Sequence, residues 1–487
     1  MIQIPTLVTF GIYFLFLLAV GIYFYRKTTS IEGYLLGGRG LGTWVTAFSA
    51  QASDMSGWLL MGLPGAVYLS GMSEAWIAVG LFVGTFCNWK YVAIRLRIYT
   101  ANTDSLTLST FFENRFKDPT GLLRTLSAII TLIFFTIYAS SGLVAAGKLF
   151  ESMFSMDYKL AVIAGAFVII LYTFLGGFLA VCWTDLIQGS LMIAAIVIVP
   201  ILAYNGVGGS EGIAAAMAEG NISMSFLPVT GIGILGVIST MAWGLGYFGQ
   251  PHILARFMGI NDAKSLPRSM TIAIIWVFIS LAGAVIIGLI AIPMFPGLAA
   301  GDQEKVFILM ITKTFTPWIG GVFLAAILAA IMSTIDSQLL VSSSALTEDF
   351  YQKVIKKEAS QKELVFIGRL SLVIISVIAL TLAINPSTTV FGLVSYAWGG
   401  FGAAFGPLVL FALFSRDTTW QSALAGMLVG TIVLVIWKQM GLGAQMYEIV
   451  PGFIANTATI LLINIFIKQT NQEILDEFDS IVAEANS

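Results

Sequence analysis

Long apolar runs separated by short polar connections dominate the chain. A membrane-spanning helix needs about 20 mostly apolar residues. Thirteen runs meet or approach that length, at roughly 5–25, 44–69, 76–94, 126–146, 160–178, 184–204, 232–248, 272–295, 318–344, 365–384, 390–414, 423–437 and 449–467. The pattern predicts an all-α polytopic membrane protein with about 13 transmembrane helices.

Two runs are interrupted from within. The second carries Gln51-Ala52-Ser53-Asp54-Met55-Ser56-Gly57-Trp58, followed by Gly62, Pro64 and Gly65. The seventh carries Gly244, Gly246, Gly249 and Pro251 beside Trp243 and Tyr247. Small, helix-weakening residues at membrane depth predict discontinuous helices, whose freed backbone groups can meet an ion or a substrate. Runs two to six and seven to eleven then read as two five-helix units, each opening on a broken helix. Five crossings are odd, so the second unit is inverted relative to the first. The predicted organisation is a flanking helix and first cytoplasmic loop at 1–43, repeats at 44–229 and 230–419, two flanking helices at 420–468, and a tail at 469–487.

The ninth run supplies a third polar cluster, Ala329-Ala330-Ile331-Met332-Ser333-Thr334-Ile335-Asp336-Ser337. Hydroxyls set in a run of alanines permit close approach by another helix, and hydroxyl and carbonyl oxygens suit a hard cation. Asp54, Asp185 and Asp336 are the carboxylates within or at the edges of apolar runs. Buried ionisable groups in a membrane are costly and point to function.

Charge sets the expected orientation. No basic side chain precedes the first run, while Arg26 and Lys27 follow it, so the first run is expected to be an uncleaved span with its N-terminus outside. On that orientation nineteen of the 24 basic residues fall on the inner side and five on the outer. The outer five are Lys148, Lys159, Lys305, Lys313 and Lys438. An odd number of spans leaves the C-terminal tail in the cytoplasm.

Composition narrows the chemistry. The chain is 58% hydrophobic and 10% charged, with a net charge of -2, which leaves no basic surface for nucleic acid. Two cysteines and one histidine exclude a disulfide framework, a cysteine-rich metal site and most histidine-dependent catalysis. Gly244-Leu-Gly246-Tyr-Phe-Gly249 imitates a dinucleotide fingerprint, but no strand precedes it and it lies inside a span. Gly142 to Lys148 imitates a phosphate loop, with Leu149 where a magnesium-binding hydroxyl belongs. Asn221-Ile-Ser223 is a formal glycosylation site only. No hydrolytic signature accompanies Asp54 or Asp185, so an intramembrane enzyme is not expected. A symmetric channel fits poorly with unequal spans and two broken helices.

In Gly33–Arg39, Ala52–Gly65, Phe134–Tyr138, Trp243–Met258 and Met332–Thr334, the chain resembles the sodium:solute symporter family. The resemblance extends over nearly the whole length and is closest to the bacterial proline carriers. It implies the inverted five-plus-five transporter fold, in the inner (plasma) membrane. Sodium, the coupling ion, would sit between the second and ninth spans, with no other cofactor. Ala52, Met55 and Ala330 would offer carbonyls to it, and Ser333 and Thr334 hydroxyls. Asp54 and Asp185 match sodium-linked positions. Ser56, Gly57, Trp58, Tyr138, Trp243, Tyr247 and Pro251 match positions in or beside the substrate pocket. The implied substrate is L-proline, or another small neutral solute, with no obligatory protein partner. Asp336 departs from the family pattern; it is expected either to add a cation-release step or second cation site, or to cap a helix or pair with a loop lysine such as Lys353.

Overall fold

The computed structural model describes residues 4–25, 30–226, 233–299 and 301–486. Arg26, Lys27, the start of the seventh run at Ile232 and the expected repeat boundary at 229/230 lie outside the described residues. Among those described, the chain is helical throughout, with one isolated bridge between Leu41 and Ile260 and no strand. All thirteen apolar runs fall on helices, but only ten stretches are individually long and apolar enough to cross a bilayer. Two further apolar helices, Tyr158–Phe174 and Gly233–Gly249, are shorter. The second and third runs merge, because Trp58–Asn102 is nearly continuous helix that reverses direction at Gly71. Gly71 adopts φ 74°, where an L side chain would be strained.

Burial distinguishes centre from rim. In the most apolar window of Pro317–Lys353, 83% of residues are buried, against 17% for the first helix, Ile4–Tyr25. The ninth run, with the equally buried Val390–Phe414, therefore lies at the centre of the molecule. Its alanines and serines are small enough for neighbouring backbones to approach, which is how membrane helices pack without a hydrophobic drive between them. The seventh run crosses Ala75–Cys87 just as closely. A methyl group at Gly84 would collide with the backbone of Gly244, and one at Gly80 with that of Met241. Of the glycines that imitate a nucleotide motif, Gly244 thus serves this crossing, while Gly246 and Gly249 make room for Trp398 and the backbone of Phe401.

Ion pairs tie the helix ends. Arg124 meets Asp349 at 2.5 Å and both Glu113 and Glu348 at 3.3 Å. Lys353 pairs with Glu113 and not with Asp336, which instead accepts a hydrogen bond from the Thr173 hydroxyl. Asp336 is wholly buried and out of a loop lysine's reach. The residues expected as a plain tail form the helix Gln472–Asn486. Its Ile474, Phe478 and Ile481 are buried, while Glu473 and Asp479 pair with Lys117 and Arg416.

Candidate ion and substrate site

The helix Thr43–Asp54 ends because the residues after Asp54 leave helical geometry. Met55 takes φ -81° and ψ 68°, and its amide still donates to the Gln51 carbonyl at 2.9 Å. The turn is closed by the Ser56 amide on the Asp54 carbonyl and by the Ser56 hydroxyl, which accepts from the Trp58 amide at 3.1 Å. Helix resumes at Trp58. Gly57 is required by space: a side chain there would press on Ala145 and Ile331.

On one side of this break lies a cluster of neutral oxygens. The Ser333 hydroxyl donates to the Ala52 carbonyl at 2.7 Å, and that of Thr334 reaches it at 3.3 Å. Both also contact the Ala330 carbonyl, at 3.1 and 3.2 Å. Four of the five oxygens that the resemblance implies therefore converge, and Met55 follows Asp54 at the break. All five residues are at most 1% exposed. Uncharged carbonyl and hydroxyl oxygens beside an unwound helix fit a sodium ion.

On the other side lies a tight chamber of about 10 Å³ lined by Asp54, Met55, Trp58, Leu81, Tyr138, Trp243, Val394 and Trp398. Trp58 stacks on Trp243 with ring centroids 5.3 Å apart. The buried indole N–H of Trp58 makes no hydrogen bond among the described residues, so a donor is available there. The Tyr247 hydroxyl donates to Asp54 at 2.5 Å. Asp54 therefore faces the chamber and the seventh run. The second break has its own form. After Gly233–Met241 the chain tightens into a 3₁₀ stretch, Ala242–Gly249, passes through extended Gln250, and restarts at Pro251. Such a mid-helix change in winding marks a hinge. Proline suits the restart because its missing N–H has no intrahelical partner at that position. Pro251 lies off the chamber and lines a second cavity of about 30 Å³ that reaches Asp349.

Asp185 belongs to a different group. Its carboxylate accepts from the Ser49 hydroxyl at 2.6 Å and pairs with Arg256 at 3.3 Å; both members of the pair are wholly buried. Arg256 also donates to Ser49, to the His252 carbonyl and to Ser337, whose hydroxyl in turn donates to the Ser333 carbonyl at 2.8 Å. The pair is thereby wired to the oxygen cluster.

Sequence reasoning passed over Leu81, Val394, Trp398 and the role of Arg256. Trp398 matters most among the lining residues: its indole donates to the Trp243 carbonyl at 2.7 Å and its own carbonyl accepts from Gln250, satisfying backbone and side chain at the second break. Trp398-Gly399-Gly400 was the available signal, an aromatic beside small residues in an apolar run. Arg256 was counted among the inner-side charges, although it interrupts an otherwise apolar stretch.

Comparison with known proteins identifies the family and the fold. The family model described as the sodium:solute symporter family matches residues 34–430. The sodium/proline symporter of Salmonella typhimurium is 49% identical over 485 residues, covering 98% of this chain and 96% of its own. That of Escherichia coli is 50% identical over 472 residues, covering 95% and 93%. Among solved structures, a substrate-bound, outward-open sodium-coupled sialic acid symporter superimposes with a TM-score of 0.81 at 19% identity, over 96% of this chain and 99% of that one. The two share a fold. The chain belongs to the sodium:solute symporter family.

Proposed function

We propose that this chain couples the inward movement of sodium to uptake of L-proline by alternating access. The observation that carries the reading is that one helix break serves both ligands. Ala52, before it, meets the hydroxyls of Ser333 and Thr334; Asp54, Met55 and Trp58 line the small aromatic chamber. Sodium binding to carbonyls at the break orders the backbone that forms the chamber wall, so each ligand raises the affinity for the other.

The chamber suits proline chemically. Trp58, Trp243, Tyr138 and Trp398 give the chamber an aromatic lining that suits a flat apolar ring and tolerates its cationic nitrogen. The Trp58 indole N–H, without a partner among the described residues, supplies a donor for a carboxylate without a buried cation. A sodium ion entering down a ~100 mV potential releases about 2.3 kcal/mol. A tenfold concentration gradient adds about 1.4, enough together for roughly 500-fold accumulation.

The finer architecture belongs to the same proposal. Thirteen crossings, with inverted repeats at 44–229 and 230–419, put one break at the start of each repeat. The N-terminus lies outside and the tail in the cytoplasm of a bacterial inner membrane. The orientation rests on nineteen of the 24 basic residues falling on the inner side and five on the outer. A cysteine introduced at Ser210 should therefore react with an impermeant thiol reagent in intact cells, and one at Ser360 should not; the reverse pattern inverts the topology.

Counterflow of labelled L-proline against a panel of small solutes tests the function. Purified protein in vesicles should exchange proline only with sodium present. Trp243→Ala or Tyr247→Ala should weaken proline affinity by about tenfold or more, as loss of a central aromatic anchor does elsewhere. Vesicles that ignore proline and exchange another solute would transfer the reading to that solute.

A further inference from the structure

Trp243 is held by other rings. Trp58 and Tyr447 each stack on its indole with ring centroids 5.3 Å apart, the Tyr447 plane 29° from parallel, and Phe391 lies tilted against it at the same distance. Of Trp58, Trp243 and Tyr447, the first two line the chamber. Tyr447 comes from the segment between the two C-terminal flanking helices, Trp420–Gln439 and Ile449–Phe466, outside the two proposed repeats.

Tyr447 is itself fixed at three points. Its hydroxyl donates to the Ser395 carbonyl at 2.6 Å, and its amide donates to the Ser239 hydroxyl at 2.7 Å. A side chain at Gly399 would crowd its ring, so the ring fits a glycine-sized gap. These anchors bind the ring to the helix Val390–Phe414 and to the outer half of the seventh run, on either side of the chamber.

We infer that Tyr447 is a positioning residue for the substrate: it fixes the Trp243 indole over the chamber, so that a segment outside the repeats sets substrate affinity. The inference rests on the proline reading above and names a further determinant of the same site. Offset-stacked rings favour a fixed separation and tilt. Without Tyr447 the Trp243 indole loses one of its stacking partners and keeps Trp58 and Phe391, so it is less fixed and the substrate must order it again on binding. That cost falls on substrate affinity and leaves the oxygen cluster at Ser333 and Thr334 untouched.

Sodium-driven L-proline uptake in vesicles tests this with Tyr447→Ala, Tyr447→Phe, Trp243→Ala and the double variant, each normalised to reconstituted protein. Tyr447→Ala should raise the KM for proline about tenfold, with maximal rate and half-saturating sodium at saturating proline within about twofold of wild type. Tyr447→Phe, which keeps the ring and loses only the Ser395 anchor, should retain most of the affinity. Because Tyr447 acts through Trp243, the double variant should have the KM of Trp243→Ala alone. Active wild-type protein whose two single effects simply multiply in the double variant would overturn the inference and leave the transport reading intact. So would a Tyr447→Ala variant with unchanged KM. Wild-type vesicles that take up no proline would overturn the proline reading, and the inference with it.

Discussion

Arg256→Ala should be the most damaging single substitution outside the ligand sites. It leaves the Asp185 carboxylate wholly buried with only the Ser49 hydroxyl to answer it. Removing one partner of a buried pair costs about 3–5 kcal/mol, a large fraction of the roughly 5–15 kcal/mol that holds a folded protein together. The guanidinium also joins four helices, through Ser49, Asp185, the His252 carbonyl and Ser337. Lysine cannot reproduce that, since a single ammonium lacks the planar fork of donors. The expected result is much less Arg256→Ala protein in the membrane and a lower unfolding temperature in detergent. Asp185→Asn combined with Arg256→Gln removes both charges and should recover stability relative to Arg256→Ala. A double variant no more stable than Arg256→Ala would show that the unpaired charge is not the cause.

That pair also shows where a linear reading stops. The apolar runs were legible because a bilayer demands about 20 apolar residues for each crossing, whatever the tertiary context. The breaks were legible because glycine, proline and polar residues at membrane depth are costly unless used. The convergence of Ser333 and Thr334 on Ala52 followed from the resemblance and not from spacing, since no periodicity links residues so distant in sequence. Asp185 stood out as a carboxylate near an apolar run and Arg256 counted only as an inner-side charge; nothing local said that they face one another. Trp398 was hidden for a different reason. An aromatic in an apolar span has many structural uses, and its role at the second break exists only once the helix Val390–Phe414 lies against residues 242–249. The tail escaped notice because no lipid constrains it; its helix is set by Ile474, Phe478 and Ile481 meeting the rest of the protein.

Ser333→Ala or Thr334→Ala should sharply raise the sodium concentration needed for half-maximal transport. The argument begins from the cluster's chemistry. Ser333 and Thr334 do not titrate near neutral pH, and their partners at Ala52 and Ala330 are backbone carbonyls. Five neutral oxygens, with Met55 counted, can surround sodium but give a transported proton no base to occupy. An interaction with a charged partner is worth about 1.5–3 kcal/mol, so one lost hydroxyl should raise half-saturating sodium roughly 10- to 100-fold. Proline affinity at saturating sodium should change less, because the chamber lies across the helix break from the hydroxyls. Lithium, a smaller hard cation, should substitute in part, and potassium should not. Asp54 and Asp185 are the groups through which protons would have to act instead. Sodium-free vesicles given only a pH gradient should therefore fail to concentrate proline. If they concentrate it as well as sodium-energised vesicles do, coupling runs through those carboxylates and the assignment of sodium to this cluster is wrong.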